Sequence, residues 1–168
     1  MLADRWGVAE AEVARRYPCD DFVSIPSRSL EAWRGVTVHA PPSRVWTWVR
    51  QVRLAPYSYD WIDNLGRRSP RELRELPDPE PGQHFTTAGG RQLGRVLAVE
   101  PGEHLTAEIM GAAMSYVLVP SGAETRLLLK IVMGGWRPLA PLLSVGDLVM
   151  ARRQLLNFKA LAEGSPAG

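Results

Sequence analysis

The most constraining feature of this chain is the spacing of its turn residues between positions 83 and 133. Gly89-Gly90, Pro101-Gly102, Gly111 and Pro120-Ser121-Gly122 divide the stretch into apolar-rich runs of strand length. The breaks are too short for the helical crossovers that parallel strands need, so the runs must pair as hairpins in an antiparallel meander. Strands are expected over 83–87, 91–100, 104–109, 114–119 and 125–133.

The flanks supply the rest. Residues 33–40 alternate, with Val36, Val38 and Ala40 on one face and Thr37 and His39 on the other, as in a half-buried strand. Pro41-Pro42 ends that strand and opens a helix, because a helix's first turn does not need the missing N–H. Val45, Trp48, Val49 and Val52 then recur at helical spacing, with Trp46 at the edge of the stripe. A second short helix is expected from Tyr57 to a stop at Gly66. Residues 67–82, charged and rich in proline, read as an exposed loop. After Pro138 and Pro141 a long helix runs to about Glu163, with Leu148, Ala151, Leu155, Phe158 and Ala162 on one stripe. Before all of this lies an arm with one short amphipathic helix over 9–16, whose Val13 and Tyr17 are spaced to dock it on the body.

The expected organisation is an arm (1–30), one domain (31–163) and a short flexible tail (164–168). Six strands and a terminal helix must bury both of their apolar faces, which favours an α+β fold with a curved antiparallel sheet wrapped around the long helix. Such an arrangement leaves an interior that side chains rarely fill, so a cavity is expected.

The order of elements resembles that of the START-like, or SRPBCC, helix-grip proteins. Val36-Thr37-Val38-His39-Ala40-Pro41-Pro42-Ser43-Arg44-Val45-Trp46 is similar to their first strand and helix opening. Tyr57-Ser58-Tyr59-Asp60-Trp61-Ile62-Asp63-Asn64-Leu65 resembles a motif of a bacterial, largely actinobacterial subgroup, whose members also carry an arm like Arg5-Trp6-Gly7 with Tyr17-Pro18 and Asp20-Asp21-Phe22. The resemblance implies a helix-grip fold that encloses a small hydrophobic ligand, or alternatively a polyketide cyclase, aromatase or dehydratase activity. It supplies no catalytic set, and the 69–82 loop has no counterpart motif.

The residues exclude more than they assign. His39, His84 and His104 are far apart and show no metal-ligand spacing, so no metal is expected. No nucleophile motif and no strand–GxGxxG–helix context occurs, so no catalytic set and no cofactor is expected. Cys19 is the only cysteine, which rules out an internal disulfide. The net charge of +2, with scattered arginines, does not suggest a nucleic-acid partner. The apolar stretch over 139–150 is broken by Pro141, Ser144, Gly146 and Asp147, so no stable membrane insertion is expected and a cytoplasmic location is.

Candidate cavity residues are Tyr57, Tyr59, Trp61, Met114, Tyr116, Trp136, Asp147, Leu148 and Phe158. Each has a plainer reading as core or helix-face packing; together they form the mostly apolar lining with few polar anchors that small-molecule sites use. Tyr57, Tyr59 or Asp147 would orient a lipid, polyketide or other aromatic metabolite. Arg126 and Lys130 are expected to face water, or to anchor a ligand carboxylate. A third reading is a non-catalytic module that meets another protein through its arm or the 69–82 loop. The identity of the ligand and the oligomeric state are not readable from the chain.

Overall fold

The computed structural model describes residues 2–23, 30–58, 65–133 and 140–164, with side chains at 4–23, 30–58, 65–133 and 149–164. The elements, in chain order, are β1 (Leu2–Trp6), α1 (Glu10–Val13), β2 (Leu30–Val38), α2 (Pro42–Val49), β3 (Thr86–Ala88), β4 (Arg91–Leu93), β5 (Arg95–Glu100), β6 (His104–Ile109), β7 (Ala112–Ser121), β8 (Glu124–Met133) and α3 (Ala140–Gly164). Single 3₁₀ turns occupy Pro18–Asp21 and Arg50–Arg53.

Six strands form one sheet in the order β1-β2-β8-β7-β6-β5, and β3 and β4 pair with each other as a separate ribbon. The fold is α+β with a long C-terminal helix, as the element order implies. Two details depart from the expected all-antiparallel sheet. The sixth strand is not the 83–87 segment but β1, which pairs in parallel with β2, Leu2 opposite Leu30 through Trp6 opposite Arg34. The expected strand over 91–100 is broken at Gly94, whose φ is +69°. A Cβ there would lie 2.6 Å from Glu108 O, so the glycine lets the backbones approach while the chain leaves the ribbon for the sheet. The second helix expected over 57–66 falls largely on 59–64, outside the described residues. A 3₁₀ turn at Arg50–Arg53 extends α2.

Alternation sorts the sheet's side chains onto two faces. Ala32, Val36, Val38, Met114, Tyr116, Leu118, Leu127, Leu129 and Ile131 share the main core with Val45, Trp48 and Val49 of α2 and Leu155, Phe158 and Ala162 of α3. The opposite face presents Trp33, Ala113, Val117, Leu128 and Val132, which pack with Tyr17 and Cys19 of the arm.

The arm is therefore part of the fold. Tyr17 and Cys19 are fully buried, and Val13 packs beside them. Its helix is a single turn, shorter than the expected 9–16, with Glu12 accepting the Ala9 N–H at 2.9 Å. The Cys19 N–H donates to Ser115 Oγ at 2.8 Å, and Ser115 in turn pairs with Thr106 at 2.8 Å.

Arg126 and Lys130 correct the expectation that they face water. The Glu12 carboxylate takes Arg126 Nε at 2.7 Å and Nη2 at 2.9 Å, a two-point clamp, and Arg126 also donates to Gly7 O. Lys130 lies between Asp20 at 2.6 Å and Glu31 at 2.9 Å, with the rings of Trp33 and Tyr17 5.2 and 5.8 Å away. Neither cation is available to anchor a ligand; both hold the arm.

Candidate functional cavity

A cavity of about 540 Å³ lies beside the sheet–helix core, walled by α2, the 69–73 segment and the C-terminal turns of α3. Its apolar wall is Trp48, Tyr57, Leu73, Ala160 and Leu161. Its polar wall is Ser69, Arg71, Glu72 and Asn157. The volume suits a small organic molecule.

Tyr57 is the central wall residue, and its backbone is strained. Its φ of +56° is rarely adopted by a bulky L-residue. Such a conformation survives only where surrounding contacts overdetermine it. Here Gln51 Nε2 donates to the Tyr57 phenol at 2.8 Å, and Asn157 Nδ2 donates to its carbonyl at 2.8 Å. The ring packs edge-on to Trp48, centroids 6.5 Å apart, and against Phe158 at 5.4 Å.

Two buried amides fasten the irregular segments that form the wall. Gln51 accepts the Arg74 N–H at 2.6 Å and donates to Glu72 O at 3.3 Å, which pins the loop across α2. Gln154 donates to Pro56 O at 2.6 Å and accepts the Tyr116 hydroxyl at 2.6 Å. The loop expected to be wholly exposed thus has a fastened stretch, with Ser69 buried.

Of the residues read as cavity candidates, Tyr57 lines this space. Phe158 and Tyr116 stand behind it, their rings 6.4 Å apart and continuing to Phe85, and Met114 lies beside Tyr116, whose hydroxyl is 3.8 Å from its sulfur. Tyr59, Trp61 and Trp136 lie outside the described residues; Asp147 and Leu148 lie on α3, but their side chains are outside them. Sequence reading missed Trp48, Ser69, Arg71, Glu72, Leu73, Asn157, Ala160 and Leu161 as wall residues. Trp48 stood on the α2 stripe as core. Its indole N–H, sealed from solvent, has no acceptor among the described residues.

The other reactive groups are quiet. Burial pushes the Cys19 thiol up to about 11, so it stays protonated and unreactive. Burial lowers the pKa of His104, against the nearby carboxylates Glu100 and Glu103, while His39 sits in the open paired with Glu124. Among the described residues, no three His, Cys, Asp or Glu side chains converge as a metal site, and no helix is long and apolar enough to cross a membrane.

No family model and no curated protein matches the sequence. Solved structures are similar in fold. Protein MLL2253 from Mesorhizobium loti superposes with a TM-score of 0.54 at 18% identity, over 82% of this chain and 98% of that one. Protein SSP2350 from Staphylococcus saprophyticus gives 0.56 at 11%, over 80% and 92%. The AHSA1-like protein RHE_CH02687 from Rhizobium etli gives 0.50 at 18%, over 82% and 84%. At these identities the likeness speaks for the fold alone: a six-stranded sheet and a long C-terminal helix in a helix-grip arrangement.

Proposed function

We propose that this helix-grip chain binds a small, largely apolar molecule in the cavity bounded by Trp48, Tyr57, Leu73, Ala160 and Leu161. The observation that carries the reading is Tyr57. A left-handed backbone is maintained at a cavity wall by two amide side chains and two rings, which favours a site shaped in advance over a packing remnant. The mixed wall suits a ligand with an apolar body and a polar end: rings and aliphatics on one side, Ser69, Arg71, Glu72 and Asn157 on the other. Lipids and aromatic metabolites have this shape. Tyr116 and Phe158 act as the rigid floor behind Tyr57. Tyr59, Trp61, Trp136, Asp147 and Leu148 are kept as ligand contacts proposed from the sequence alone.

Native mass spectrometry of the purified protein, followed by denaturing extraction, tests the reading. Thermal-shift screening with fatty acids and aromatic carboxylic acids extends it. A specific apolar passenger, or a ligand at a hundred times its Kd that adds about 2.7 kcal/mol of stability, supports the site. Leu161→Trp should fill the cavity and abolish that shift. A ligand that stabilises wild type and Leu161→Trp equally would place binding elsewhere, and a protein that carries and accepts nothing would end the proposal.

A further inference from the structure

Two turns place large apolar side chains where local backbone chemistry disfavours them. The β6–β7 hairpin closes through Met110 and Gly111, with φ of +51° and +82° between the paired Ile109 and Ala112. Positive φ at both central positions is the type I′ pattern, which prefers Asn-Gly, Asp-Gly or Gly-Gly. The β3–β4 ribbon keeps to that preference with Gly89-Gly90, and Gly122 opens the β7–β8 turn. At Met110 the sequence instead supplies a long thioether side chain that is 93% exposed. Leu65, with φ of +51° and followed by Gly66 at +76°, repeats the exception at 76% exposure. A single exposed apolar residue is ordinary on any surface. Two of them at left-handed turn positions cost backbone energy while most of each side chain stays in water.

The two turns lie along one end of the molecule. The Leu65 side chain sits over the ribbon turn, 2.8 Å from where a Gly89 Cβ would be. At the base of the same ribbon is Leu93, also exposed. Its neighbour Gly94 abuts the Ile109 Cβ, one residue from Met110, at 3.1 Å for a Cβ added there. Cations frame this line. The Arg67 guanidinium lies 2.5 Å from the position of a Gly90 Cβ, Arg68 and Arg91 are exposed, and Arg95 pairs with Glu108 at 2.8 Å. Among the described residues Arg68 and Arg91 form no ion pair. At the other end of β7, His39 pairs with Glu124 and Lys159 with Glu163.

We propose that the end carrying Leu65, Leu93 and Met110 docks on an anionic lipid surface, its apolar tips entering the headgroup region while Arg68 and Arg91 meet lipid phosphates. Shallow insertion of loop-borne apolar side chains beside cations is how a chain lies on a bilayer without crossing it. Sparse tips on protruding turns suit a soft interface better than a folded partner, which would need a contiguous patch.

Co-sedimentation with phosphatidylcholine vesicles, alone or mixed with phosphatidylglycerol, tests the proposal. Wild type should pellet with the anionic vesicles and be released by added salt. The double variant Leu65→Asn/Met110→Asn should fold as well as wild type, because Asn suits both turns, and should lose partitioning by about tenfold for each side chain removed. Arg68→Glu/Arg91→Glu should lose the preference for anionic lipid. Wild type remaining in the supernatant, or the asparagine variant pelleting like wild type, would overturn the proposal. So would a concentration-dependent dimer that the asparagine variant abolishes without vesicle binding, which would make this end a contact between copies of the chain.

Discussion

Along β8 the side chains alternate between two different environments. Leu127, Leu129 and Ile131 enter a core of rings and aliphatics closed by α2 and α3, where the polar atoms are hydroxyls and amides such as Tyr116, Gln51 and Gln154. Arg126, Leu128 and Lys130 point the other way, beneath the arm, where two cations meet Glu12, Asp20 and Glu31. The inner face is held mainly by apolar burial, which does not depend on pH or salt in the ordinary range. The outer face is held by ion pairs over a smaller apolar patch, and its stability changes with protonation. One sheet thus carries a permanent side and a conditional side.

Phe158→Ala should produce the largest effect. It removes a fully buried ring that joins Tyr57 to Tyr116 and should cost about 3–5 kcal/mol in chemical denaturation. Lys130→Met should come next, at roughly 3 kcal/mol, because it leaves Asp20 and Glu31 facing each other without a cation. A loss near zero would show that the outer face is apolar in effect and would remove the contrast. Gly7→Ala should cost about 1–3 kcal/mol: its φ is +67° and the new Cβ would collide with Gly35 O, where the arm crosses β2.

Acid should separate the faces without mutation. The hydrogen bond from Arg126 holds the Glu12 carboxyl below the usual range, outweighing burial, which acts to raise it. A depressed carboxylate contributes stability that is present above its unfolded pKa, about 4.3, and is lost as pH falls through the folded value. From about pH 4 downward the arm should loosen first, and Glu12→Gln should loosen it at neutral pH by about 1 kcal/mol. Cleavage after Arg15 or Arg16 by a protease active at each pH would report it. Cys19 offers a finer readout. Silent to a thiol reagent in the native state, it should become reactive in Glu12→Gln with no change in the far-UV spectrum. Reactivity appearing only at global unfolding would mean that the two faces open together.

The same contrast explains what could be read from the chain. β6 is legible because its alternation is bounded by Pro101-Gly102 and Gly111, and it lies over the expected 104–109. The α2 stripe and the long C-terminal helix are legible for the same reason, since apolar periodicity is local information. β1 escaped because Asp4 and Arg5 interrupt a short run whose pairing partner lies far along the chain. Gly94, at a positive φ, marks the break inside the expected 91–100 strand. Buried charge cannot be read locally at all: Lys130 looks like any cation on an alternating strand until Asp20 arrives from the arm. The cavity wall was legible only at Tyr57. Ser69, Arg71 and Leu73 belong to a segment without periodicity, next to residues that Gln51 holds from far along the chain, so no pattern announces them.

The docking of the arm on β8 has a consequence in time. The strongest clasp of the arm, Glu12 to Arg126, spans 114 residues of sequence, and Asp20 to Lys130 spans 110. On the ribosome the arm emerges well before its receptor, the outer face of β8. Until then Tyr17 and Cys19 lack their partners on β7 and β8, and the edge of β2 that β8 will take is unpaired. The arm is secured long after it is made, and the slowest step in maturation should be closure of this long loop, paced by contact order rather than by helix formation.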